Sequence, residues 1–244
     1  MRRSRIYTPQ KLATTGLVTL EGSAGHYLTR VLRAAAGDAV ILFNGNGRDY
    51  AGQICEVRQQ HVAVELSGSW MAENESPLRI ILVQAVSKGE RMDYCLQKAT
   101  ELGVYGIQPV FTHRTEVRLD PNRRVKRLAH WQGVVISACE QSGRAFVPEV
   151  RPPLKLREWV ANANDAGNGR LLLDPGAALK LSACPISTVS VSILVGPEGG
   201  LTGEEIQGAR AAGITAVCIG PRVMRTETAG PAAIVVLQAM AGDL

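Results

Sequence analysis

Two glycine-containing loops near the carboxyl end of the chain constrain its fold more than any other feature. An apolar run at residues 189–195 leads directly into Gly-Pro-Glu-Gly-Gly at 196–200, and a helix start follows. Soon afterwards a second apolar run, 216–219, opens into Gly-Pro-Arg-Val-Met-Arg at 220–225. Because glycines let a ligand touch the main chain, two such strand ends predict a pocket whose walls are mostly backbone.

The side chains of these loops favour a ligand that carries positive charge. The first loop has no lysine, and the chain has neither a P-loop nor a GxGxxG fingerprint, so a nucleoside triphosphate or a dinucleotide is not predicted. Glu198 in the first loop and Glu227 beside the second would repel a phosphate. Carboxylates at these positions suit a sulfonium.

The periodicity of apolar residues divides the chain into two parts. Residues 1–70 predict a small N-terminal β-barrel with a short helix at 26–33 and strands at 39–43, 50–57 and 61–66. Residues 71–77 are predicted to be a linker, because they are polar and end in proline. Residues 78–244 alternate strands with helices, which predicts an α/β domain with a mostly parallel sheet.

The elements of the second part follow from periodicity and capping residues. Asp120 and Pro121 open a long helix, with Asp at the cap and Pro at the first helical position. Its predicted apolar stripe includes Val125 and Ala129. The other predicted helices are 90–102, 202–212 and 228–240, and the predicted strands are 79–86, 106–112, 170–174, 189–195 and 216–219.

Composition excludes several classes of protein. No apolar run approaches the roughly 18 residues of a membrane span, and no apolar segment of a signal peptide follows the basic N-terminus, so we expect a cytoplasmic protein without a membrane partner. The five cysteines are scattered and lack CxxC spacing, which indicates reduced thiols. No His, Cys and carboxylate residues have metal-ligand spacing, so no metal is predicted.

The distribution of charge indicates a polyanionic partner. The formal net charge is +5. Up to residue 33 the chain has six cationic residues against Glu21 alone, so this stretch by itself holds a +5 excess. A second group of cationic residues lies between Arg114 and Arg127. Cationic clusters of this kind are typical of proteins that bind nucleic-acid phosphates.

Taken together, the motifs resemble those of a known family. Gly-Pro-Glu-Gly-Gly-Leu at 196–201, joined to Ile-Gly-Pro-Arg-Val-Met-Arg-Thr-Glu-Thr-Ala at 219–229, resembles the SPOUT methyltransferases, and more narrowly the RsmE family. The segments that agree with this family elsewhere are Lys-Gly-Glu-Arg at 88–91, residues 97–104, Glu-Gln-Ser-Gly-Arg at 140–144, and residues 26–33 with Gly37 and Asp38. The resemblance spans essentially the whole chain.

The resemblance implies a fold and a cofactor. The first part would be a PUA-like RNA-binding barrel, and the second a SPOUT domain with a trefoil knot that acts as a homodimer. The methyl donor would be S-adenosylmethionine. The residues implied in cofactor binding are Leu172, Leu173, Val195, Gly196, Pro197, Glu198, Gly199, Gly200, Ile219, Gly220, Pro221, Val223, Met224, Arg225, Thr226 and Thr228.

The resemblance also implies the substrate, N3 of a uridine in 16S ribosomal RNA of the small ribosomal subunit, by family likeness uridine 1498. Because the N3 proton must leave before the methyl arrives, the site needs a base or donors that stabilise the uracil anion. The candidates for these roles are Arg144, Arg225, Glu198 and Glu227. The candidates for phosphate contacts are Arg2, Arg5, Arg30, Arg33, Lys88, Arg91, Arg114, Arg123 and Arg124.

Two other functions remain open at this point. A SPOUT enzyme that methylates a ribose 2′-OH would have similar loops. A non-catalytic RNA-binding protein of ribosome assembly would have the PUA-like part but would not bind S-adenosylmethionine. The glycines of both loops favour an enzyme over this last function, because a chain without a cofactor would tolerate larger residues there.

Overall fold

The computed structural model describes residues 4–58, 61–117, 120–162, 169–186 and 189–244. These residues form two compact units. Unit 1 comprises Met1–Glu75 together with Cys139–Val147, and unit 2 comprises Ser76–Ala138 and Pro148–Leu244. The segment Cys139–Val147 thus groups with the N-terminal strands, which the predicted division at 71–77 did not anticipate.

Unit 1 contains a five-stranded sheet in the order β1-β3-β4-β5-β2. Strands β1 and β3 are parallel, and the other pairs are antiparallel. Gly45 and Gly47 have φ angles of 87° and 83° in the turn between β3 and β4, a conformation that glycine adopts without strain. The strands are β1 (Ser4–Tyr7), β2 (Gly16–Leu20), β3 (Ala39–Phe43), β4 (Arg48–Arg58) and β5 (His61–Met71).

The helix of unit 1 lies earlier in the chain than predicted. Helix α1 spans Gly22–His26 and continues as a π-helical turn over Tyr27–Val31, whereas the prediction was 26–33. The apolar pattern that suggested 26–33 is misleading, because Leu28 is buried but Val31 is 60% exposed. Arg33 has a left-handed φ of 50°, which prevents the helix from continuing.

Unit 2 alternates strands and helices, as predicted. Its strands are β6 (Arg79–Ala85), β7 (Gly106–Phe111), β8 (Glu149–Val150), β9 (Leu154–Lys155), β10 (Gly169–Leu173), β11 (Ser190–Val195) and β12 (Thr215–Val217). Its helices are α2 (Glu90–Glu101), α3 (Pro121–Ser142), α4 (Leu156–Ala161), α5 (Gly203–Ala211) and α6 (Thr226–Ala241), and the last turn of α3 belongs to unit 1.

The sheet of unit 2 has the order β12-β10-β11-β6-β7-β8, and β9 also pairs with β7. Every recorded pairing between its described strands is parallel, which confirms the predicted α/β class. Strand β6 is buried at every position after Arg79, as expected for a strand that helices cover on both faces.

Three boundaries or faces in unit 2 differ from the predictions. Helix α6 begins at Thr226 and not at residue 228, because the β-region Arg225 already acts as its N-cap. Strand β12 ends at Val217, before the predicted 219. In the predicted apolar stripe of α3, Val125 is 69% exposed and Ala129 is also exposed, so burial begins only with Trp131.

Helix α6 packs against α2 and β11 along its apolar length. The buried amide of Gln238 fastens it to the end of α2, donating to the carbonyl oxygens of Leu102 at 3.1 Å and Gly103 at 3.4 Å. Within the described part of the chain, no helix has both the length and the apolar character that a bilayer crossing requires.

Candidate functional site

The two glycine loops open a single pocket in unit 2. Strands β10, β11 and β12 are parallel neighbours, so their carboxyl ends lie at the same edge of the sheet. Ligands of α/β proteins bind at this edge. The loops that follow the three strands enclose a cavity of about 840 Å³, a size within the usual range for small-molecule sites.

Most of the predicted cofactor residues line this cavity. They are Leu173, Val195, Gly196, Pro197, Glu198, Gly199, Gly200, Ile219, Gly220, Val223, Met224, Arg225 and Thr226. Leu172, Pro221 and Thr228 do not appear in the lining, and Leu172 is fully buried within β10. The two loops therefore meet in one pocket, and of the two predicted strand-end residues Leu173 lines it and Leu172 does not.

The first loop is held in a tight turn. The Gly200 amide donates to the Pro197 carbonyl at 2.9 Å, and Gly200 has a φ of 69°. The Arg114 guanidinium donates to the Gly199 carbonyl at 2.7 Å. A Cβ atom at Gly196 would lie 3.2 Å from the Leu201 side chain. The glycines thus let the chain fold back closely on itself.

The second loop lines the cavity, and its main-chain donors have no recorded partner in the described part of the chain. Among the described residues, none accepts a hydrogen bond from the backbone N–H groups between Ile219 and Met224. Backbone N–H groups without a partner in the protein form hydrogen bonds with solvent or with a bound molecule. Backbone N–H and C=O groups of such a loop can form hydrogen bonds with the ring nitrogens and the exocyclic amine of a planar heterocycle.

Two carboxylates and one guanidinium lie at the side of the pocket. Glu198 accepts from the Lys88 amide at 3.2 Å and from Arg91 at 3.0 Å, and Arg91 also lies 3.9 Å from Glu227. Burial tends to raise the pKa of the Glu198 carboxyl, but hydrogen bonds from its own amide, Lys88 and Arg91 outweigh burial and lower it. Glu198 is therefore an anion and a weak base.

Thr226 joins the two loops with its side chain. Its hydroxyl donates to the Gly196 carbonyl at 2.7 Å and accepts from the Gln84 amide at 2.9 Å. The hydroxyl proton is thus used inside the protein and is not available to a ligand.

The two predicted catalytic arginines lie in different units. Arg225 is exposed at the pocket wall, and among the described residues its guanidinium has no recorded partner. Arg144 belongs to unit 1, where it is buried and forms a bidentate ion pair with Glu75, at 3.0 and 2.5 Å. Glu140 of the same motif accepts from the Tyr7 amide at 3.0 Å, so this segment fastens itself to strand β1.

The predicted phosphate-binding residues have different surroundings. In unit 1, Arg30 and Arg33 are exposed, and no ion-pair partner of either is recorded among the described residues. Arg5 instead pairs with Asp49 at 2.5 Å and stacks on a buried ring. Arg2 lies outside the described residues.

In unit 2, several predicted phosphate-binding residues already have partners. Lys88 pairs with Glu116, and Arg91 and Arg114 hold the first loop. Arg123 pairs with Asp120 at 3.2 Å, and Arg124 lies over the Phe111 ring.

Several lining residues were not predicted from the sequence. They are Arg91, which was assigned to RNA, and Asp174, Pro175, Leu201, Ile206, Val217, Cys218, Arg222 and Ala229. Most of them directly adjoin a predicted position, so wider margins around the two loops would have included them. Arg91 and Ile206 come from helices α2 and α5, and their approach depends on how these helices pack on the sheet.

Comparisons with known proteins agree with this geometry. Residues 74–238 match the family model of an RNA methyltransferase domain, and residues 20–66 match that of an RNA methyltransferase PUA domain. The chain is 32% identical to ribosomal RNA small subunit methyltransferase E of Buchnera aphidicola from Schizaphis graminum, covering 100% of this chain and 98% of that protein. The corresponding Synechocystis protein is 34% identical over 91% of this chain and 73% of its own length.

Two solved structures are similar over the full length of both chains. A Legionella pneumophila methyltransferase described as putative, solved with bound cofactor SAM, has a TM-score of 0.96 at 38% identity and 100% coverage of both chains. Ribosomal RNA small subunit methyltransferase E of Neisseria gonorrhoeae, solved with S-adenosyl methionine, has a TM-score of 0.93 at 40% identity, also with full coverage. The chain therefore belongs to the RsmE family of ribosomal RNA small subunit methyltransferases, within the SPOUT enzymes.

Proposed function

We propose that this chain transfers a methyl group from S-adenosylmethionine to N3 of a uridine in 16S rRNA, corresponding to uridine 1498. The observation that carries this proposal is the pocket that the two loops line. Peptide N–H groups of its second loop have no recorded partner among the described residues, and two carboxylates lie at its side. The names of the relatives and the bound cofactor of the two similar structures support the same donor and substrate.

The residues present fit this donor. The cavity volume suits a ligand of that size. Glu198 and Glu227 favour a sulfonium over a phosphate, and the backbone donors between Ile219 and Met224 favour an adenine ring. The cofactor-binding residues we propose are the predicted ones that line the pocket, with Leu172, Pro221 and Thr228 as neighbours behind it. When bound, the sulfonium supplies an electrophilic methyl group.

The chain's own contribution is to position the uracil and stabilise its anion. Arg225 is exposed at the pocket wall and lacks a recorded partner among the described residues, so it can donate to O2 or O4 of the base. Glu198 is held as an anion by Arg91, which suits orientation more than proton removal. Glu227 is the carboxylate we propose for the N3 proton or for an ordered water.

Arg144 remains a proposed catalytic residue that can be separated from Arg225 by kinetics. Arg225→Ala is expected to lower kcat by about 100-fold or more, the usual loss for one anion-stabilising donor, with little change in melting temperature. Arg144→Ala removes a buried guanidinium together with its packing and its hydrogen bonds to the more exposed Glu75, which destabilises unit 1. A loss of kcat in Arg144→Ala at unchanged stability would support a catalytic role for it.

We propose that phosphate contacts come mainly from the exposed arginines of unit 1, Arg30 and Arg33, and from Arg2 and Arg5 near the N-terminus. In unit 2, the proposed contacts are Lys88, Arg91, Arg114, Arg123 and Arg124. Of these, Lys88, Arg91 and Arg123 must exchange their present ion pairs for phosphate. Since exposed ion pairs contribute little, this exchange costs little.

We propose further features of the molecule. By the resemblance, residues 1–70 form a PUA-like barrel, residues 78–244 contain a trefoil knot, and the chain acts as a homodimer. From its composition, residues 71–77 are a linker and the chain lies in the cytoplasm, with its rRNA substrate. The exposed apolar side chains of α6, Val235 and Met240, support a partner on this helix.

The experiment that tests the reaction is primer extension on rRNA from cells that lack this protein, with and without the returned gene. A methyl at N3 blocks the Watson–Crick edge and stops the polymerase, whereas a 2′-O-methyl is detected by other means. We expect the stop to vanish in the deletion strain and return with the gene. A stop that persists would exclude the uridine-N3 assignment, and transfer to a ribose would identify the 2′-OH alternative.

A further inference from the structure

Gln84 is a buried polar residue beside the methyl-donor pocket that no part of the mechanism uses. It lies in β6 with no exposed surface, at the register position of Val195, the last residue of β11. A side-chain amide in an otherwise apolar strand costs free energy unless its hydrogen bonds are made. Here both amide hydrogens have acceptors, the Thr226 hydroxyl at 2.9 Å and the Ala85 carbonyl at 3.2 Å.

A buried thiol fixes which way the Gln84 amide points. Cys95 of α2 donates to Gln84 Oε1 at 3.3 Å. Burial first, and then the charge of Glu227, raise the pKa of the Cys95 thiol to about 12, so the sulfur keeps its proton at neutral pH and can donate it to Gln84 Oε1. A flipped amide would lose this bond and would set Oε1 against the Thr226 hydroxyl oxygen, whose proton is donated to Gly196, so one orientation is selected.

From Gln84 the hydrogen bonds continue into both loops of the pocket. The Thr226 hydroxyl accepts a hydrogen bond from Gln84 and donates one to the Gly196 carbonyl at 2.7 Å. Thr226 begins α6 directly after the second loop, and Gly196 begins the first loop. This series of hydrogen bonds therefore sets the distance between the two loops. It runs from Cys95 through Gln84 and Thr226 to Gly196.

We propose that Gln84 is a positioning residue for the methyl-donor pocket, which through the Thr226 hydroxyl fixes the Gly196 carbonyl and so holds the two backbone loops at the spacing that the donor requires. This rests on the proposed function. Gln84 does not line the pocket, so its effect is on preorganisation and not on contact. Thr226, predicted as a cofactor ligand, acts mainly as the link.

A second buried glutamine provides the matched control. Gln108 lies in β7, the neighbouring strand, where Val83 is its register partner, and it is 4% exposed. Its amide also donates twice, to the carbonyl oxygens of Pro109 and Pro152, both at 3.0 Å. Gln108 has no recorded contact with either loop among the described residues. Gln84→Met and Gln108→Met each remove two donated amide hydrogen bonds at similar volume, and Gln84→Met also removes the bond accepted from Cys95. Only Gln84 is bonded to a residue that lines the pocket, Thr226.

The test compares these variants by calorimetric titration with S-adenosylmethionine and S-adenosylhomocysteine. We expect Gln84→Met to weaken both ligands about tenfold, as the loss of one or two neutral hydrogen bonds predicts. The KM for the donor rises accordingly, and the KM for RNA is unchanged. Gln108→Met is expected to lower the melting temperature to a similar extent with unchanged dissociation constants. Equal binding by Gln84→Met and the wild type, or equal weakening by both variants, would overturn the proposal.

A pair of substitutions at Thr226 decides the matter if Gln84→Met does not fold. Thr226→Val keeps the shape and removes the hydroxyl, and is expected to weaken both ligands, whereas Thr226→Ser restores the hydroxyl and is expected to recover most of the affinity. Equal affinities for the two would contradict the proposal. If the wild-type chain itself binds neither ligand, the proposed function fails. If the wild-type chain binds both ligands and the variants bind them with the same affinity, the proposed role of Gln84 is wrong while the proposed function stands.

Discussion

Gly230 is a position where α6 packs closely against strand β6 and helix α2. A Cβ atom there would lie 3.3 Å from each of three atoms, Cys95 Sγ, Gln84 Oε1 and Leu82 Cδ1. These neighbours lie in a packed interior and have little room to move. The absence of a side chain at Gly230 thus lets α6 approach the buried hydrogen-bond chain, and a glycine that would weaken an isolated helix has a packing role here.

We therefore expect Gly230→Ala to lower the free energy of unfolding by about 1–3 kcal/mol, because it overpacks this contact. Urea denaturation measures the change. Gly208→Ala in α5 is the matched control, since a Cβ atom there meets nothing within 4 Å. That substitution is expected to raise the free energy of unfolding by up to about 1 kcal/mol. A neutral or stabilising Gly230→Ala would show that the helix has room to shift.

Glu198 gives a pH-dependent prediction at the same scale. Its folded pKa is lowered, so its ionised form adds stability above the unfolded pKa of about 4.3, and this contribution is lost as pH falls through the lowered folded pKa. Glu198→Gln cannot ionise. We expect the wild type to be the more stable at pH 7, and the gap to shrink between about pH 5 and pH 3. Urea midpoints across this range measure it, and a gap that stays constant would contradict the ion pair with Arg91.

At the scale of elements, the capping box of α5 couples a pocket loop to a helix. Thr202 accepts from the Glu205 amide at 3.2 Å, and Glu205 accepts from the Thr202 amide at 2.9 Å and the His113 amide at 2.7 Å. We expect Thr202→Ala to lower the free energy of unfolding by about 1 kcal/mol, the usual loss of an N-cap. Thr202→Ser keeps the hydroxyl and should stay within a few tenths of the wild type. An equal loss of unfolding free energy in both variants would mean that the threonine methyl group, which both variants lack, stabilises the helix and the capping hydroxyl does not.

The elements with strong local signals were predictable from sequence, and the weak ones were not. Helix α2 and strand β11 lie within one residue of their predicted bounds, because their apolar periods and flanking glycines are local features. Strand β2 shows little alternation, and only its last residue is buried, so no pattern marks it. Helix α4 has six residues, too few for a helical period to emerge.

The parts of the site that are built from main chain could be predicted from the sequence. The contacts between side chains that are distant in the sequence could not. Glycines and strand ends sufficed to predict both loops of the pocket. The pairing of Arg91 with Glu198 and the bond from Gln84 to Thr226 join residues 107 and 142 positions apart in the chain. Such contacts depend on strand order, which periodicity does not give. Arg144 is a similar case, because the sequence around it does not reveal that its buried guanidinium forms an ion pair with Glu75.

At the scale of the whole molecule, the positive charge is divided between contacts within the fold and surface that is open to RNA. Arg58 pairs with Glu56 at 2.5 Å, and Arg210 pairs with Asp174 at 3.2 Å. The exposed Arg30 and Arg33 instead have no recorded ion pair among the described residues. The total of 27 lysines and arginines therefore overstates the number of free cationic groups, and the strength of RNA binding should follow the unpaired ones.

This division predicts how RNA affinity depends on salt. If roughly five cationic side chains meet phosphates of flexible RNA, log affinity should fall with log salt concentration at a slope of about −3.5, from ~0.7 for each phosphate. Replacing both Arg30 and Arg33 with glutamine should make the slope shallower by about 1.4. Arg58→Gln, which removes an exposed but paired cation of the same unit, is the control and should leave the slope unchanged. Filter binding of a 16S rRNA fragment across salt concentrations measures all three. An equal effect of Arg58→Gln would mean that total charge, and not the unpaired arginines of unit 1, governs binding.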